Sequence, residues 1–181
     1  LKLYLLIMIL LNEFALSEPT LCQIDASDYN EWIYFSFLTE SIVIIDNPEN
    51  SLGWDIAFQR YHIKTNSGTS GSGSAGAYVD SLNIWTNTLF SSLNEVPLYA
   101  EFNVDTMLNS FYDSESHEMS WGSANFALET WGEIDTLNNY TMVISNNQLI
   151  IRTANGNDFI KIWLFDYYNE NGISGYISFL Y

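Results

Sequence analysis

Positive charge is scarce in this chain. Its 181 residues include only five lysines and arginines against 22 acidic residues, so the formal net charge is −17. A field of that sign repels the phosphates of nucleic acids and anionic membrane surfaces, and we exclude both as partners. An anionic ligand could be met by few side chains beyond the N-terminal segment, namely Arg60, Lys64, Arg152 and Lys161.

Histidine and cysteine are rarer still. The chain has two histidines, His62 and His117, and one cysteine, Cys22. A single cysteine excludes an internal disulfide, and this small set of donors excludes a zinc cage of cysteines and histidines. A zinc site built on both histidines would need carboxylates from elsewhere in the fold.

Two catalytic motifs are missing. No Gly-x-Ser-x-Gly elbow is present, and no Gly-Lys-Ser or Gly-Lys-Thr follows the glycine-rich stretch at residues 66–77. The many acids could supply a carboxylate pair for glycoside cleavage, but the sequence does not single out two of them. These absences favour a binding protein over an enzyme.

The apolar stretch at the N-terminus is too short to span a membrane. Residues 1–11 are mostly apolar with one lysine, and polar residues follow directly. This pattern predicts an export signal over residues 1–17, with cleavage after Ser17. We expect residues 18–30 to form a flexible tail.

Cys22 lies close behind the predicted export signal and could carry a lipid. Leu21 is not the small residue expected before a lipid-modified cysteine. The alternative is an unmodified thiol in the tail.

Aromatic residues are abundant, with six Trp, twelve Tyr and eleven Phe. Such residues favour strands and also line ligand pockets. With short alternating apolar runs, they predict one all-β, antiparallel domain over residues 31–181 that contains few helical turns. The predicted strands cover residues 32–37, 41–46, 54–59, 78–85, 124–131, 140–144, 149–153, 159–168 and 175–181. The predicted helical turns cover residues 88–93 and 105–108, and a polar loop is expected at 113–121.

Residues 54–77 are the stretch around which the other predicted elements are arranged. Trp54, Ile56 and Phe58 alternate with other residues as in a strand. Tyr61 and Ile63 then begin a second apolar face, so we expect the strand to continue with both faces buried or to contain a β-bulge. The Gly-, Ser-, Thr- and Ala-rich residues that follow predict a shaped surface loop.

The C-terminal third predicts a three-strand meander. Asn155 and Gly156 lie between two apolar runs, which is a strong local signal for a hairpin. Asn169 to Gly172 then turn the chain into the last strand.

Several of these stretches resemble the HmuY family of bacterial haem-binding proteins. They are Glu31 to Phe37, Trp54 to Phe58 with the following Arg60-Tyr61 pair, Lys64 to Gly71, Phe165 to Tyr168, and Gly175 to Phe179. The resemblance covers residues 29–181. It implies an HmuY-like all-β fold and an exported, non-enzymatic protein that holds haem b non-covalently for delivery to an outer-membrane receptor.

The resemblance also implies axial ligands for the haem iron. The type member of the family grips iron between two histidines, and Ser116 to Met119 resembles the stretch that carries the first, which makes His117 the predicted ligand. The second ligand is expected near residues 135–137, but no histidine follows His117. Met142 is the nearest soft donor downstream, and histidine with methionine is a known axial pair for haem iron. Met119 could replace His117 as a ligand.

The missing second histidine motivates an alternative function. The same scaffold could be a surface binding module for another porphyrin, a glycan or a protein. A methionine in an apolar run such as Met142 is most often a core residue, and a lone loop histidine is most often exposed.

Overall fold

The computed structural model describes residues 18–113 and 115–181, and the predicted export signal lies outside them. Among these residues the chain forms thirteen β-strands, one α-helix and two 3₁₀ turns, and every strand pair is antiparallel. The all-β prediction is therefore confirmed. The strands are β1 (Leu21–Asp25), β2 (Ile33–Ser36), β3 (Ser41–Val43), β4 (Ile56–Gln59), β5 (His62–Thr65), β6 (Gly76–Ile84), β7 (Thr106–Tyr112), β8 (Met119–Ala124), β9 (Gly132–Asp135), β10 (Thr141–Ile144), β11 (Asn147–Arg152), β12 (Phe159–Tyr168) and β13 (Ser174–Leu180). The helix is α1 (Asn87–Ser92), and the 3₁₀ turns are Pro48–Asn50 and Leu128–Trp131.

The largest sheet has five strands in the order β1-β13-β12-β11-β6. It contains the predicted C-terminal meander, and Gly156 turns the β11–β12 connection with a φ of +78° that favours glycine. The inward side chains of this sheet, among them Ile162 and Phe179, are fully buried in the hydrophobic core.

The predicted flexible tail is wrong over residues 21–25, which form β1. This strand pairs with β13 in a continuous register from Leu21 opposite Leu180 to Asp25 opposite Tyr176. Ile24 is completely buried and half-buried Cys22 packs against the core. The pairing partner lies more than 150 residues along the chain, so no local pattern announces the strand.

A second sheet has the order β3-β2-β4-β5, in which the strands predicted at 32–37 and 41–46 pair with each other as β2 and β3. The expected continuous strand through Ile63 is wrong, because the chain turns back at Arg60 and Tyr61 and pairs Gln59 with His62. Arg60 adopts a φ of +53°, which is uncommon for a residue other than glycine. Its guanidinium donates to the carbonyls of Ser27 at 2.9 Å and Ser174 at 3.2 Å, and these contacts hold the turn in place.

The glycine-rich stretch is a partly buried loop, which corrects its prediction as a surface loop. Asn66 is fully buried, and its side-chain amide donates to the carbonyls of Ser51 at 2.7 Å and Trp54 at 2.9 Å. Gly73 returns a backbone N–H to the Asn66 Oδ1 at 3.0 Å. A Cβ at Gly71 or Gly73 would collide with Asn66, so the glycines are required by close approach.

Asp105 joins this loop to the neighbouring strands. Its buried carboxylate accepts from the Thr65 backbone N–H at 2.8 Å, the Thr65 hydroxyl at 2.6 Å and the Asn125 amide at 2.9 Å. Desolvation raises the pKa of Asp105, and these hydrogen bonds oppose that increase. The network fixes the ends of β5 and β8 relative to each other.

The middle of the chain confirms one predicted turn and corrects two elements. Helix α1 matches the predicted turn at 88–93, with Thr86 as N-cap and Phe90 buried. Residues 106–108 belong to β7 instead of a helical turn. The strand predicted at 124–131 is wrong, because β8 ends at Ala124. The Asn125 side chain accepts from the Ala127 N–H and its carbonyl accepts from the Leu128 N–H, which starts the second 3₁₀ turn.

Strand β9 was not predicted, and it pairs with the predicted β10 across a turn that contains Asn138 and Asn139. No helix within residues 18–113 and 115–181 is both long and apolar enough to cross a membrane.

Candidate ligand-binding hairpin and cleft

The β7–β8 hairpin exposes soft and aromatic side chains. Its register places Tyr112 opposite Met119, so these two side chains share one face. Met107 and Trp121 are also exposed, and Trp121 retains 66 % of its accessible surface. Exposed apolar side chains that lie together, here a tryptophan and two methionines, are uncommon on a protein surface and indicate a site of contact with a ligand or partner.

His117 lies in the loop at the tip of this hairpin, with a φ of +59°. Its backbone N–H donates to the Asp113 carbonyl at 2.9 Å, and Asp113 in turn donates its N–H to the Glu118 carbonyl at 2.9 Å. The Nδ1 atom of His117 is 2.7 Å from the Tyr112 hydroxyl. With Nδ1 in this hydrogen bond, Nε2 is the nitrogen that can meet a metal.

The structure brings one of the two predicted thioethers to His117. Met119 is 53 % exposed and faces Tyr112, which is the hydrogen-bond partner of His117. Met142 is 8 % exposed and packs in the hydrophobic core, where a Cβ on Gly132 would lie 2.7 Å from its Cε. Met142 and His117 therefore do not share one surface.

A cleft of about 450 Å³ lies between residues 29–32 and the β7–β8 hairpin. The residues before and after the His117 loop form part of its border. Its lining consists of Tyr29, Asn30, Trp32, Gln59, Lys64, Phe111, Tyr112, Asp113, Glu115, Ser120, Trp121, Gly122 and Ser123. The cleft thus combines aromatic walls with amides, hydroxyls, two carboxylates and one ammonium.

Lys64 is the buried cation of this cleft, with 8 % of its surface exposed. Its Nζ lies 4.1 Å from the centre of the Trp32 ring, 5.0 Å from that of Tyr34 and 5.7 Å from that of Trp54. Desolvation lowers the pKa of Lys64 to about 8. The faces of the rings partly compensate the lost hydration of the ammonium.

His62 supports the cleft from behind. Its buried imidazole stacks on Phe111 with 3.8 Å between ring centres and an interplanar angle of 18°. Its Nδ1 is 2.8 Å from the Glu129 carboxylate, whose other oxygen accepts from the Ile63 N–H at 3.1 Å. His62 is therefore a packing residue behind the cleft, with its Nδ1 beside the Glu129 carboxylate.

The cleft residues were the part of the site that the sequence did not identify. The alternation of Met119 and Trp121 with Ser120 and Gly122 is the signal that could have indicated a strand with one apolar face. Trp32 directly precedes β2 and Lys64 lies in β5, and only the fold brings them to this hairpin.

The side chains exposed on this hairpin fit haem iron, which is already held by its porphyrin ring. Among residues 18–113 and 115–181, no three histidine, cysteine, aspartate or glutamate side chains are placed to hold a bare metal ion. Haem iron needs only one or two protein ligands, and its flat ring needs apolar and aromatic cover. An exposed imidazole with a free Nε2, a nearby thioether and exposed aromatic rings meet both needs.

Solved structures of low sequence identity share this fold. A candidate HmuY-like haem-binding protein from Bacteroides vulgatus is 21 % identical, with 90 % of each chain covered and a TM-score of 0.68. A candidate lipoprotein from Bacteroides fragilis is 22 % identical, with 88 % of this chain and 86 % of the other covered and a TM-score of 0.68. The apo HmuY analogue of Tannerella forsythia is 17 % identical, with 90 % and 94 % covered and a TM-score of 0.67.

The comparison with curated proteins finds no match. The model of the HmuY protein family matches residues 28–181, which is most of the chain and includes every strand except β1. The fold, the hairpin and this match agree with one another, and the chain belongs to the HmuY family.

Proposed function

We propose that this protein is exported and binds haem b non-covalently for uptake through an outer-membrane receptor, without catalysing a reaction. The observation that carries the proposal is the exposed imidazole of His117, held by Tyr112 beside Met119 and next to an aromatic cleft. Family membership supports the same ligand class.

Each residue of the hairpin has a distinct part in this proposal. His117 offers Nε2 to the iron, and Tyr112 holds the imidazole in position through Nδ1. Met119 is the accessible thioether that could replace His117 as the ligand, while Trp121 covers the ring. Bound haem would supply the Lewis-acidic iron that the imidazole coordinates.

Met142 could act as an iron ligand only after leaving the core. Removing a buried methionine side chain from its packing costs about 2–5 kcal/mol, judged from truncation of core residues. The proposal therefore assigns iron coordination first to His117, then to Met119, and last to Met142.

Apolar burial can make haem binding favourable even with a single ligand. About 400 Å² of buried apolar surface would contribute about 10 kcal/mol. Association costs remove several kcal/mol of this at least. The remainder is at most about 6 kcal/mol, which corresponds to a dissociation constant of tens of micromolar at best before iron coordination is added.

Titration of the purified protein with haemin, followed by the Soret and Q bands, tests the proposal. We expect a shifted Soret band in the wild type and about a hundredfold weaker binding in His117→Ala, equivalent to about 2.7 kcal/mol. Tyr112→Phe should weaken binding about tenfold because it releases the imidazole. Met142→Leu preserves core volume, and because Met142 is the last-ranked ligand its affinity should equal that of the wild type; a loss in this variant would instead assign Met142 as an iron ligand. A wild-type spectrum identical to that of free haemin would refute the proposal.

The alternative is that the hairpin and cleft bind a non-haem ligand, such as another porphyrin, a glycan or a protein. The single histidine on the exposed hairpin favours it, because a metal-free ring would need no axial pair. Iron-free protoporphyrin distinguishes the two, since equal affinities for haemin and protoporphyrin that do not change in His117→Ala would support the alternative.

Export to the outer-membrane surface or the medium is the third part of the proposal. It rests on the predicted signal at residues 1–17. Cys22 is half-buried within β1, opposite Phe179, so a lipid on this thiol would have no spacer before the folded domain. We therefore favour an unmodified Cys22, and the mass of the mature N-terminal peptide from fractionated cells tests both points.

A further inference from the structure

The four basic residues of the described chain differ in how their N–H groups are used. The side chains of three of these residues donate hydrogen bonds to backbone carbonyls. Arg60 donates to Ser27 and Ser174, Arg152 to Ser74 and Ala75, and Lys161 to Phe90 and Leu93.

Lys64 donates to no carbonyl. Its one hydrogen bond goes to the Tyr34 hydroxyl at 3.3 Å, which leaves two of the three ammonium N–H groups without a protein acceptor. The remaining neighbours of Nζ are the faces of aromatic rings.

The lack of a carboxylate partner for Lys64 is notable in so acidic a protein. Of the ion pairs within 4.0 Å among residues 18–113 and 115–181, only His62–Glu129 is present, although the chain has 22 acidic residues. Buried ammonium groups are ordinarily paired, because an isolated charge is costly to remove from water. A buried cation that faces a cleft and keeps free donors has the features of a subsite for an anion.

The rest of the cleft fits a carboxylate carried on a flat aromatic body. Asn30 and Gln59 offer amide donors, and Ser120 offers a hydroxyl, all in the same lining as Lys64. Trp32, Phe111 and Trp121 supply ring surfaces for the body of the ligand. Asp113 and Glu115 on the hairpin side repel a second carboxylate there and favour one orientation of the ligand.

We propose that the Lys64 ammonium receives a carboxylate of the ligand bound in this cleft. This inference rests on the proposed function, in which the ligand is a tetrapyrrole and the carboxylate is one of its propionates. Lys64 then selects ligands with a free propionate, while His117 selects for iron.

Haemin carries two charged propionates, whereas its dimethyl ester carries two neutral methyl esters, and the pair tests this inference. Lys64→Met keeps most of the length of the side chain and removes the charge, so it should weaken haemin binding about tenfold or more and leave ester binding unchanged. Lys161→Met is the matched control and should change neither affinity. Binding of the ester by Lys64→Met also shows that the variant is folded, and Lys64→Gln provides a second neutral variant.

The possible outcomes separate this inference from the proposed function. Equal losses for haemin and ester in Lys64→Met would mean that Lys64 acts only through packing of its aromatic neighbours, and no loss for either would mean that no carboxylate meets it. Both results overturn the inference and leave haem binding standing. A wild type that binds neither compound would overturn the proposed function together with this inference.

Discussion

The burial of Lys64 predicts that the protein becomes more stable as the solution becomes moderately alkaline. The pKa of this lysine is lowered to about 8 from its ordinary value of 10.5, with desolvation as the main cause. Between those values the unfolded chain binds a proton that the folded chain does not, so the free energy of unfolding rises with pH. Below pH 8 both states are protonated, and the cost of burying the charge is fully present.

The size of the effect follows from the same two values. Between pH 7.5 and pH 9.5 the free energy of unfolding should increase by about 2 kcal/mol. The upper limit of pH 9.5 is chosen because burial raises the pKa of several tyrosines, including Tyr34, and their ionisation would favour the unfolded state at higher pH. The carboxylates of Asp105 and Glu49 favour the charged lysine and oppose part of the desolvation.

Urea unfolding followed by tryptophan fluorescence at pH 7.5, 8.5 and 9.5 measures this increase. In Lys64→Met the increase in the free energy of unfolding over that pH range should be about 2 kcal/mol smaller than in the wild type. In Lys161→Met the contribution of Lys64 to the increase in unfolding free energy should remain. Desolvation also lowers the pKa of Lys161, so this control removes only the separate contribution of Lys161. The reasoning is refuted if the wild type and Lys64→Met respond to pH in the same way.

Three further predictions concern the scaffold. Asp105→Ala removes the carboxylate that accepts three buried hydrogen bonds and should lower the free energy of unfolding, measured in urea, by about 3–5 kcal/mol, whereas a loss below about 1 kcal/mol would show that the network is dispensable. Gly122→Ala places a Cβ against the Phe111 ring and should lower the free energy of unfolding by about 1–3 kcal/mol. The near-ultraviolet circular dichroism signal should change as the ring moves, and an unchanged spectrum would contradict the close contact. Burial raises the pKa of the Cys22 thiol, so a thiol reagent should react more slowly with the native protein than with the urea-unfolded chain, and equal rates would mean that β1 is not formed.

The sequence predicted elements whose signals are local. Asn155 and Gly156 announce the β11–β12 hairpin because an Asn-Gly pair fits the tight turn that joins two strands. Thr86 and Phe90 likewise mark α1, with a capping side chain before the helix and one apolar residue toward the core.

The missed elements depend on distant partners. β1 forms because β13 offers it an edge, and nothing in residues 21–25 alone distinguishes that strand from a polar tail. The turn at Arg60 has neither glycine nor asparagine, and the guanidinium contacts with Ser27 and Ser174 make it stable. These contacts join segments far apart in the chain, so the pattern around Arg60 suggested a bulge instead.

The candidate site was predicted in part for the same reason. His117 and Met119 were identified through a motif, and in the structure Tyr112 pairs with Met119 and is hydrogen-bonded to His117. Met142 and the cleft around Lys64 needed the fold, because burial decides whether a thioether or an ammonium can reach a ligand.

The pairing of β1 with β13 has a mechanical consequence. Thr20 and Tyr181 exchange backbone hydrogen bonds of 2.9 and 3.2 Å, so the two ends of the folded domain lie side by side. A pulling force applied to both ends would open the β1–β13 ladder one residue pair at a time from Leu21 and Leu180 inward, as a zipper opens. The domain should therefore begin to yield at low tension, and it would release this outer strand well before the sheet beneath it.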